Sequence, residues 1–269
     1  MPELPEVESV RRGLASQIIG QTVIEAVCAP HPRLFLPGAA EVAQGLKGRV
    51  VRRVGRLGKL IIITLRPTAF VTVHLGMTGQ LICALRPPEA GHVHMSLRLT
   101  EIMVFFRDPR RFGKISFYLS PDELQPVLDK LGPDALTISD EQFHRRLSRH
   151  RISVKTALLN QSVLAGVGNI YADEGLFMAG LSPLRPADSL SSSETGSLNH
   201  ALKRVMRKSL SMGGSTVRNF TDADGRPGTF QEAHQVYQKT GQPCFRCGTG
   251  IKRIVLGGRA THYCPACQK

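Results

Sequence analysis

Residues 59–85 read KLIIITLRPTAFVTVHLGMTGQLICAL. Three short apolar runs rich in β-branched residues, KLIIITL, AFVTVHL and GQLICAL, are punctuated by proline and glycine turns. Each run has the length of a strand rather than of a helix. The same texture extends outward over 22–119, with TVIEAV and RVVRRV before it and HMSLRL, IMVFFR and KISFYL after it. A recurrence every 8–12 residues or so predicts an antiparallel β-sandwich or barrel. Ahead of it, Val7, Val10, Leu14 and Ile18 follow Pro5 on one helical face, with Gly20 as a stop. That helix is expected to pack against the sheets.

Beyond residue 119 the texture changes. In SPDELQPVLDKLGPDAL (120–136), Ser120 is a good N-cap with Pro121 in the first turn, and LGP at 131–133 breaks the chain. Helical periodicity then covers 140–149, 153–160, 169–179 and about 191–211. MGGSTVRNFTDADGRPGTF (212–230) is rich in glycine and polar residues and is expected to be a mobile loop. A small cysteine-rich unit closes the chain. The boundaries expected on this basis are 1–131, 132–230 and 231–269, an α+β multidomain arrangement.

The 269 residues hold 35 Lys and Arg against 21 Asp and Glu, a net charge of +14. This balance points to a polyanionic partner, DNA or RNA before a membrane. A basic but merely solvated surface is the alternative. Basic residues occur in short groups such as VRRVGRLGK and HRRLSRHR, so the charge is spread over folded elements. No stretch approaches the roughly 20 apolar residues of a membrane span. The N-terminus lacks the basic and apolar regions of a signal peptide, which places the protein in the cytoplasm.

Cys244, Cys247, Cys264 and Cys267 form C-x2-C-x16-C-x2-C. Two such pairs can hold one Zn²⁺ tetrahedrally, although disulfides or a redox pair would share the pattern. Four Cys ligands leave no open position, so the ion would be structural. Arg259, between the pairs, would sit at a hairpin tip, able to clamp phosphate or simply to face solvent. AGVGNIYADE (165–174) puts Asn169 at a helix N-terminus, which suits a phosphate, though capping alone would also explain the glycines. HLGMTG (74–79) and RDPRRFG (107–113) hold Met77, Arg110 and Phe112. These would be core residues, or, if exposed, wedges that unstack a duplex. Cys28 and Cys83 lie singly in strand-like runs and are expected to be buried thiols. The opening MPELPEVE is a stiff leader into a helix, or Pro2 becomes a reactive amine once Met1 is removed.

MPELPEVE, GKLIIITL, HLGMTGQL, DPRRFG, GVGNIYADE, GGSTVRNF with DGRPGTF, and the terminal CFRCGT…RATHYCPAC occur in order from end to end. In this the chain closely resembles the bacterial formamidopyrimidine-DNA glycosylase family, and its start looks like that family rather than its sister, endonuclease VIII. The resemblance implies an N-terminal antiparallel β-sandwich flanked by helices, a helix–two-turns–helix bundle and a zinc ribbon, with DNA in the cleft between the lobes. It implies a monomeric bifunctional glycosylase and AP lyase, associated with the bacterial nucleoid. Its partner would be damaged double-stranded DNA, from which it excises 8-oxoguanine and formamidopyrimidines, with one structural zinc and no small-molecule cofactor.

It also implies roles. Pro2 corresponds to the nucleophile, Glu3 to the acid that protonates the deoxyribose ring oxygen, and Lys59 to the lysine of β-elimination. Arg259 corresponds to the ribbon arginine at the phosphates, linked to δ-elimination. Met77, Arg110 and Phe112 match the trio that fills the gap left by the flipped nucleotide. His74, Asn169 and Tyr237 match phosphate contacts, Arg151 is a further DNA contact, and Lys155 would lie near the damaged nucleotide. The 213–229 loop would close over the everted base. Two departures stand out: His92 in AGHVHM is the candidate DNA-contacting histidine, and Thr229 stands where an aromatic is common.

The chemistry fits these residue types. A Schiff-base nucleophile needs a free lone pair, and an α-amine titrating near 7.7–8.0 is closer to readiness than lysine near 10.4. A secondary amine gives a cationic iminium, a good electron sink. The acid must be protonated when it acts, so burial or a neighbouring carboxylate is needed. Glu6 and Glu8 are the candidate neighbours, or they simply complement the helix dipole. The competing functions are a catalytically silent zinc-ribbon DNA binder and an endonuclease VIII-like preference for oxidised pyrimidines.

Overall fold

The computed structural model describes residues 2–31, 33–89, 91–216 and 220–269. The first unit runs through α1 (Leu4–Ile18), β1 (Val23–Cys28), β2 (Phe35–Leu36) and α2 (Ala39–Leu46). It continues with β3 (Val50–Leu57), β4 (Leu60–Arg66), β5 (Ala69–His74), β6 (Gln80–Ala84), β7 (Val93–Leu99), β8 (Met103–Arg107), β9 (Lys114–Tyr118) and α3 (Pro121–Leu128). Two sheets form, in the orders β1-β7-β8-β6 and β2-β9-β5-β4-β3. Neighbouring strands are antiparallel except for the two-residue β2, which pairs parallel to β9.

The core between the sheets contains Val51, Ile61, Ile63, Val71 and Val73 with Leu81, Met95, Leu97 and Val104, and Val10 and Leu14 of α1 join it. Each such side chain contributes about 1.5–3 kcal/mol on burial. The eight expected strand runs appear as β1 and β3 to β9. Helix α2 was not expected. Its eight residues bury only Val42 and Leu46, one turn apart, too few to declare a period. Cys28 and Cys83 are half-buried rather than buried, and desolvation pushes their thiols up to about 11 and about 12, with the Asp224 charge adding to the second.

Register decides what faces the sheet's end. Leu57 pairs with Leu60, so Gly58 and Lys59 form a two-residue hairpin turn, with Gly58 at φ +56°. Leu60 in turn pairs with His74 at the end of β5. Lys59 and His74 are thereby brought to one edge.

The second unit contains α4 (Asp140–Leu147), α5 (Val154–Leu159), α6 (Asn169–Ala179), α7 (Ser192–Ser211) and the hairpin β10 (Lys252–Leu256) and β11 (Arg259–Tyr263). Helix α6 is buried on every side from Ile170 to Phe177, which makes it the centre of this unit. Gly175 lets α7 approach: a Cβ there would lie 2.5 Å from Leu202 Cδ2.

Packing groups Met1–Lys130 with Met212–Thr229, and Leu131–Ser211 with Phe230–Lys269. The loop expected to be mobile is therefore anchored to the sandwich in its described parts. Thr229 N–H donates to the Met212 carbonyl (3.0 Å) and Cys83 N–H to the Ala223 carbonyl (3.0 Å). Gln80 Nε2 donates to Thr221 Oγ1 (3.0 Å), and Phe220 packs on the core. Residues 217–219 of the loop, and Met1, lie outside the described residues. Among the described residues no helix is long and apolar enough to cross a membrane.

Candidate active site and nucleic-acid interface

Pro2 and Glu3 are buried immediately before α1, with Glu3 only 3 % exposed. Pro5 in the first turn and the β conformation of Glu3 start the helix at Leu4. Glu6 is equally buried and spans two segments: Oε2 accepts the Glu3 N–H and Oε1 the Ser215 N–H, both at 2.8 Å. It holds the N-terminal leader in the manner of a capping box and ties the 212–229 loop to it. Glu8 turns elsewhere. Burial pushes its carboxyl up, but hydrogen bonds from Arg11, Arg12 and Arg56 outweigh that and bring it down to about 2. Its charge is compensated by these three guanidiniums, at 2.8, 2.8 and 3.1 Å. Of the two candidate neighbours, Glu6 is thus the one bonded to Glu3.

Lys59 is buried at the β3–β4 turn. Burial lowers the pKa of His74, and the charges of Lys59 and Lys114 lower it further. Its Nδ1 accepts the Gly76 N–H at 3.0 Å, so the proton of the neutral ring sits on Nε2, a donor suited to a phosphate oxygen. A histidine held below its usual 6.5 is already neutral at pH 7. His74→Ala is therefore expected to weaken DNA binding by about 1.5–3 kcal/mol, equally at pH 7.5 and 8.5. Fluorescence anisotropy at the two pH values checks this.

Met77 and Phe112 are 38 % and 53 % exposed, so neither is a core residue. The Arg110 guanidinium lies 4.8 Å from the centre of the Phe112 ring, and the two stack at the surface. His92, at φ +61°, is exposed, whereas His94 is buried with Nε2 3.0 Å from the Asp108 carbonyl. Of the two histidines, only His92 faces solvent.

In the second unit the structure corrects one expectation. Lys155 is fully buried, so it cannot touch DNA as it stands. Its ammonium pairs with Asp173 Oδ1 at 2.7 Å and donates to the Ala260 carbonyl and Thr261 Oγ1, both at 2.8 Å. Asn169 Nδ2 donates to the same Ala260 carbonyl at 2.8 Å. Asp173 Oδ2 accepts the His262 N–H at 2.9 Å. Three residues of the helical bundle thus fix β11 directly behind Arg259. That arginine stands exposed after a Gly257-Gly258 turn with φ of +53° and +73°. Removing one partner of a buried pair strands the other charge, so Lys155→Met is expected to destabilise this unit by about 3–5 kcal/mol. Urea unfolding at pH 7 measures it.

Glu174, beside Asp173, accepts the N–H groups of Gln235, Val236 and Tyr237 at 2.8–3.0 Å. Burial raises its pKa against these three donors. It thereby fixes Tyr237, whose ring lies edge-on to His234 and His262. Gln161 braces the turn before α6, donating to the Leu159 and Val167 carbonyls and accepting the Gly166 N–H. Arg151 is almost fully exposed, 3.9 Å from Asp188. Sequence reasoning missed Glu6 as a link to the loop, and Asp173, Glu174 and Gln161 altogether. The only signal was acidic residues in a helix otherwise apolar all round.

The Sγ atoms of Cys244, Cys247, Cys264 and Cys267 lie within 4.8 Å of one another. Zinc–sulfur bonds of about 2.3 Å in a tetrahedron need sulfurs about 3.8 Å apart. The Cys244–Cys267 and Cys247–Cys264 separations are 3.9 and 3.5 Å. The donor set fits one closed, structural zinc.

A β-sandwich with a buried N-terminal leader, and a helical bundle carrying a four-cysteine ribbon, are the architecture of a class of DNA-repair enzymes with a helix–two-turns–helix and ribbon module. Residues 1–115 match the formamidopyrimidine-DNA glycosylase N-terminal domain, 131–221 the H2TH domain of the same family, and 241–269 the zinc finger found in FPG and IleRS. The formamidopyrimidine-DNA glycosylase of Laribacter hongkongensis is 41% identical over 273 residues, covering 100% of both chains. A variant of the Lactococcus lactis enzyme solved with Fapy-dG DNA is 33% identical with a TM-score of 0.91, covering 100% of both chains. A MutM structure with carbocyclic 8-oxo-G DNA is 34% identical with a TM-score of 0.90, again covering 100% of both. The chain belongs to the formamidopyrimidine-DNA glycosylase family.

Proposed function

We propose that this protein is a base-excision repair enzyme that everts and excises oxidised purines from duplex DNA and then cleaves the strand. The observation that carries the reading is the N-terminus. Pro2 precedes a buried carboxyl, Glu3, whose amide is clamped by Glu6. With Met1 removed, the neutral Pro2 nitrogen attacks C1′, the damaged base leaves with the electron pair of its glycosidic bond, and the proton lost by the amine neutralises it. Glu3 delivers a proton to O4′ as the sugar ring opens, leaving a Pro2–C1′ iminium. Loss of a C2′ proton expels the 3′ phosphate by β-elimination, and a second elimination releases the 5′ phosphate. Lys59 and Arg259 act at these phosphates.

His74, His92, Arg151, Asn169 and Tyr237 contact the DNA backbone, and Met77, Arg110 and Phe112 fill the space of the everted nucleotide. Lys155 supports Arg259 from behind. The zinc, held by Cys244, Cys247, Cys264 and Cys267, keeps the ribbon folded. Functionally the chain divides at 131/132 and 230/231. It works as a monomer on the bacterial chromosome in the cytoplasm.

Single-turnover excision from duplexes carrying 8-oxoguanine, a formamidopyrimidine or an oxidised pyrimidine tests this. Faster excision of the two purine lesions is expected. A preference for the pyrimidine would give the chain the substrate range of endonuclease VIII, and no excision at all would make it a silent binder.

A further inference from the structure

We propose that Asp108 is a positioning residue that makes the two wedge loops move as one body, with Thr78 as its partner. The inference rests on the wedge reading of Met77, Arg110 and Phe112 given above. Asp108 follows β8 and is completely buried, directly beneath side chains that are exposed. Its carboxylate serves both loops. Oδ1 accepts the Thr78 hydroxyl at 2.5 Å and the Arg110 N–H at 3.2 Å, and Oδ2 accepts the Gly113 N–H at 2.8 Å. Thr78 adjoins Met77, while Arg110 and Gly113 bracket Phe112. Arg110 N–H also reaches Thr78 Oγ1 at 3.3 Å, which closes a triangle between the loops.

Asp108 itself is pinned by its own backbone. Its N–H donates to the His92 carbonyl at 3.0 Å, and His94 Nε2 lies 3.0 Å from its carbonyl. The loops also touch backbone to backbone: Gly76 sits at φ +62°, and a Cβ there would come within 2.5 Å of the Phe112 carbonyl carbon. Met77 and Phe112 stand exposed above this base, Phe112 with the Arg110 guanidinium stacked on its ring. Apolar wedges separate stacked bases only if their backbone does not yield, since unstacking costs a few kcal/mol per step. Three hydrogen bonds converging on one buried side chain fix such a geometry.

Removing the coupling should slow eversion while sparing the chemistry at Pro2. Thr78→Val keeps the side chain's shape and removes only the hydroxyl. Asp108→Asn keeps an acceptor at one position and loses the one facing Gly113. Eversion is read by stopped-flow fluorescence of a 2-aminopurine beside 8-oxoguanine in a duplex. Borohydride trapping on a single-stranded abasic oligonucleotide, which has no stack to open, reads the chemistry alone. Thr78→Val is expected to slow eversion on the order of tenfold, equivalent to about 1.4 kcal/mol, with trapping unchanged. Thr78→Val added to Arg110→Ala should slow eversion little beyond Arg110→Ala alone, because both act through one wedge.

Folded Thr78→Val and Asp108→Asn proteins that evert at the wild-type rate overturn the proposal. So does a double variant whose losses simply multiply, or a single variant that loses trapping in parallel with eversion. Wild-type protein that traps but shows no eversion signal removes the wedge reading. Wild-type protein that fails to trap removes the enzyme reading, and the proposal falls with it in either case.

Discussion

Stripping the zinc with a chelator, or replacing Cys264 by Ser, is expected to unfold the ribbon from about residue 241 onward and leave the sandwich intact. The ribbon has little apolar core of its own. Its apolar cluster consists of Val236, Cys244, Ile251 and Cys264 with Phe177 of α6, and two of these five are themselves zinc ligands. Structural zinc supplies about 10–16 kcal/mol of apparent folding free energy to such units, far more than three apolar side chains can replace. Arg246, stacked 4.3 Å over Phe177, would lose its place. So would Arg259, because β11 is the strand that Lys155, Asn169 and Asp173 hold. Hydrogen exchange should show deprotection of β10 and β11 only. DNA binding should weaken, and each phosphate that the protein no longer neutralises should reduce the slope of log K against log salt by about 0.9. Metal-free protein with a protected ribbon and unchanged binding would make the four cysteines a disulfide or redox set.

Glu3→Gln is expected to lower base excision by about 10²–10⁴-fold, the usual contribution of a positioned general acid. Glutamine matches the carboxyl in shape but carries no proton to give to O4′. Glu3 is 3 % exposed, so its carboxyl is held out of bulk water next to Pro2. The Glu3 backbone N–H donates to Glu6 in either variant, so the fold should stand. An abasic site needs no base to leave, and its aldehyde should still condense with Pro2. The discriminating result is therefore a split, with single-turnover excision lost and trapping on a preformed abasic site kept. Excision at the wild-type rate would take Glu3 out of the chemistry.

The sandwich was legible because its strands are long, apolar and punctuated by glycine and proline, as in residues 59–85. The zinc site was legible because four cysteines at fixed spacing carry their own geometry. Helix α2 was not, since two buried residues do not make a period. The anchoring of 212–229 was hidden for a different reason. Its polar composition reads as a solvated loop, but Gln80, Cys83 and Glu6, up to 209 positions away, supply its partners. Lys155 shows the same limit in reverse. A lysine in sequence reads as a surface cation, and only Asp173, brought to 2.7 Å by the α5–α6 packing, makes it a buried strut. Met77 and Phe112 read first as core residues, and only the tertiary structure shows them exposed. Side chains that act through tertiary partners leave no local pattern.

The central claim is that the N-terminal amine is the nucleophile, and one measurement meets it directly. The zinc-loaded protein, with Met1 removed, is incubated with a duplex holding a single 8-oxoguanine opposite cytosine, reduced with borohydride and mapped by peptide mass. The account predicts one covalent complex, its DNA remnant on the nitrogen of Pro2. An adduct on Lys59 or another lysine, or no adduct at all, would contradict it.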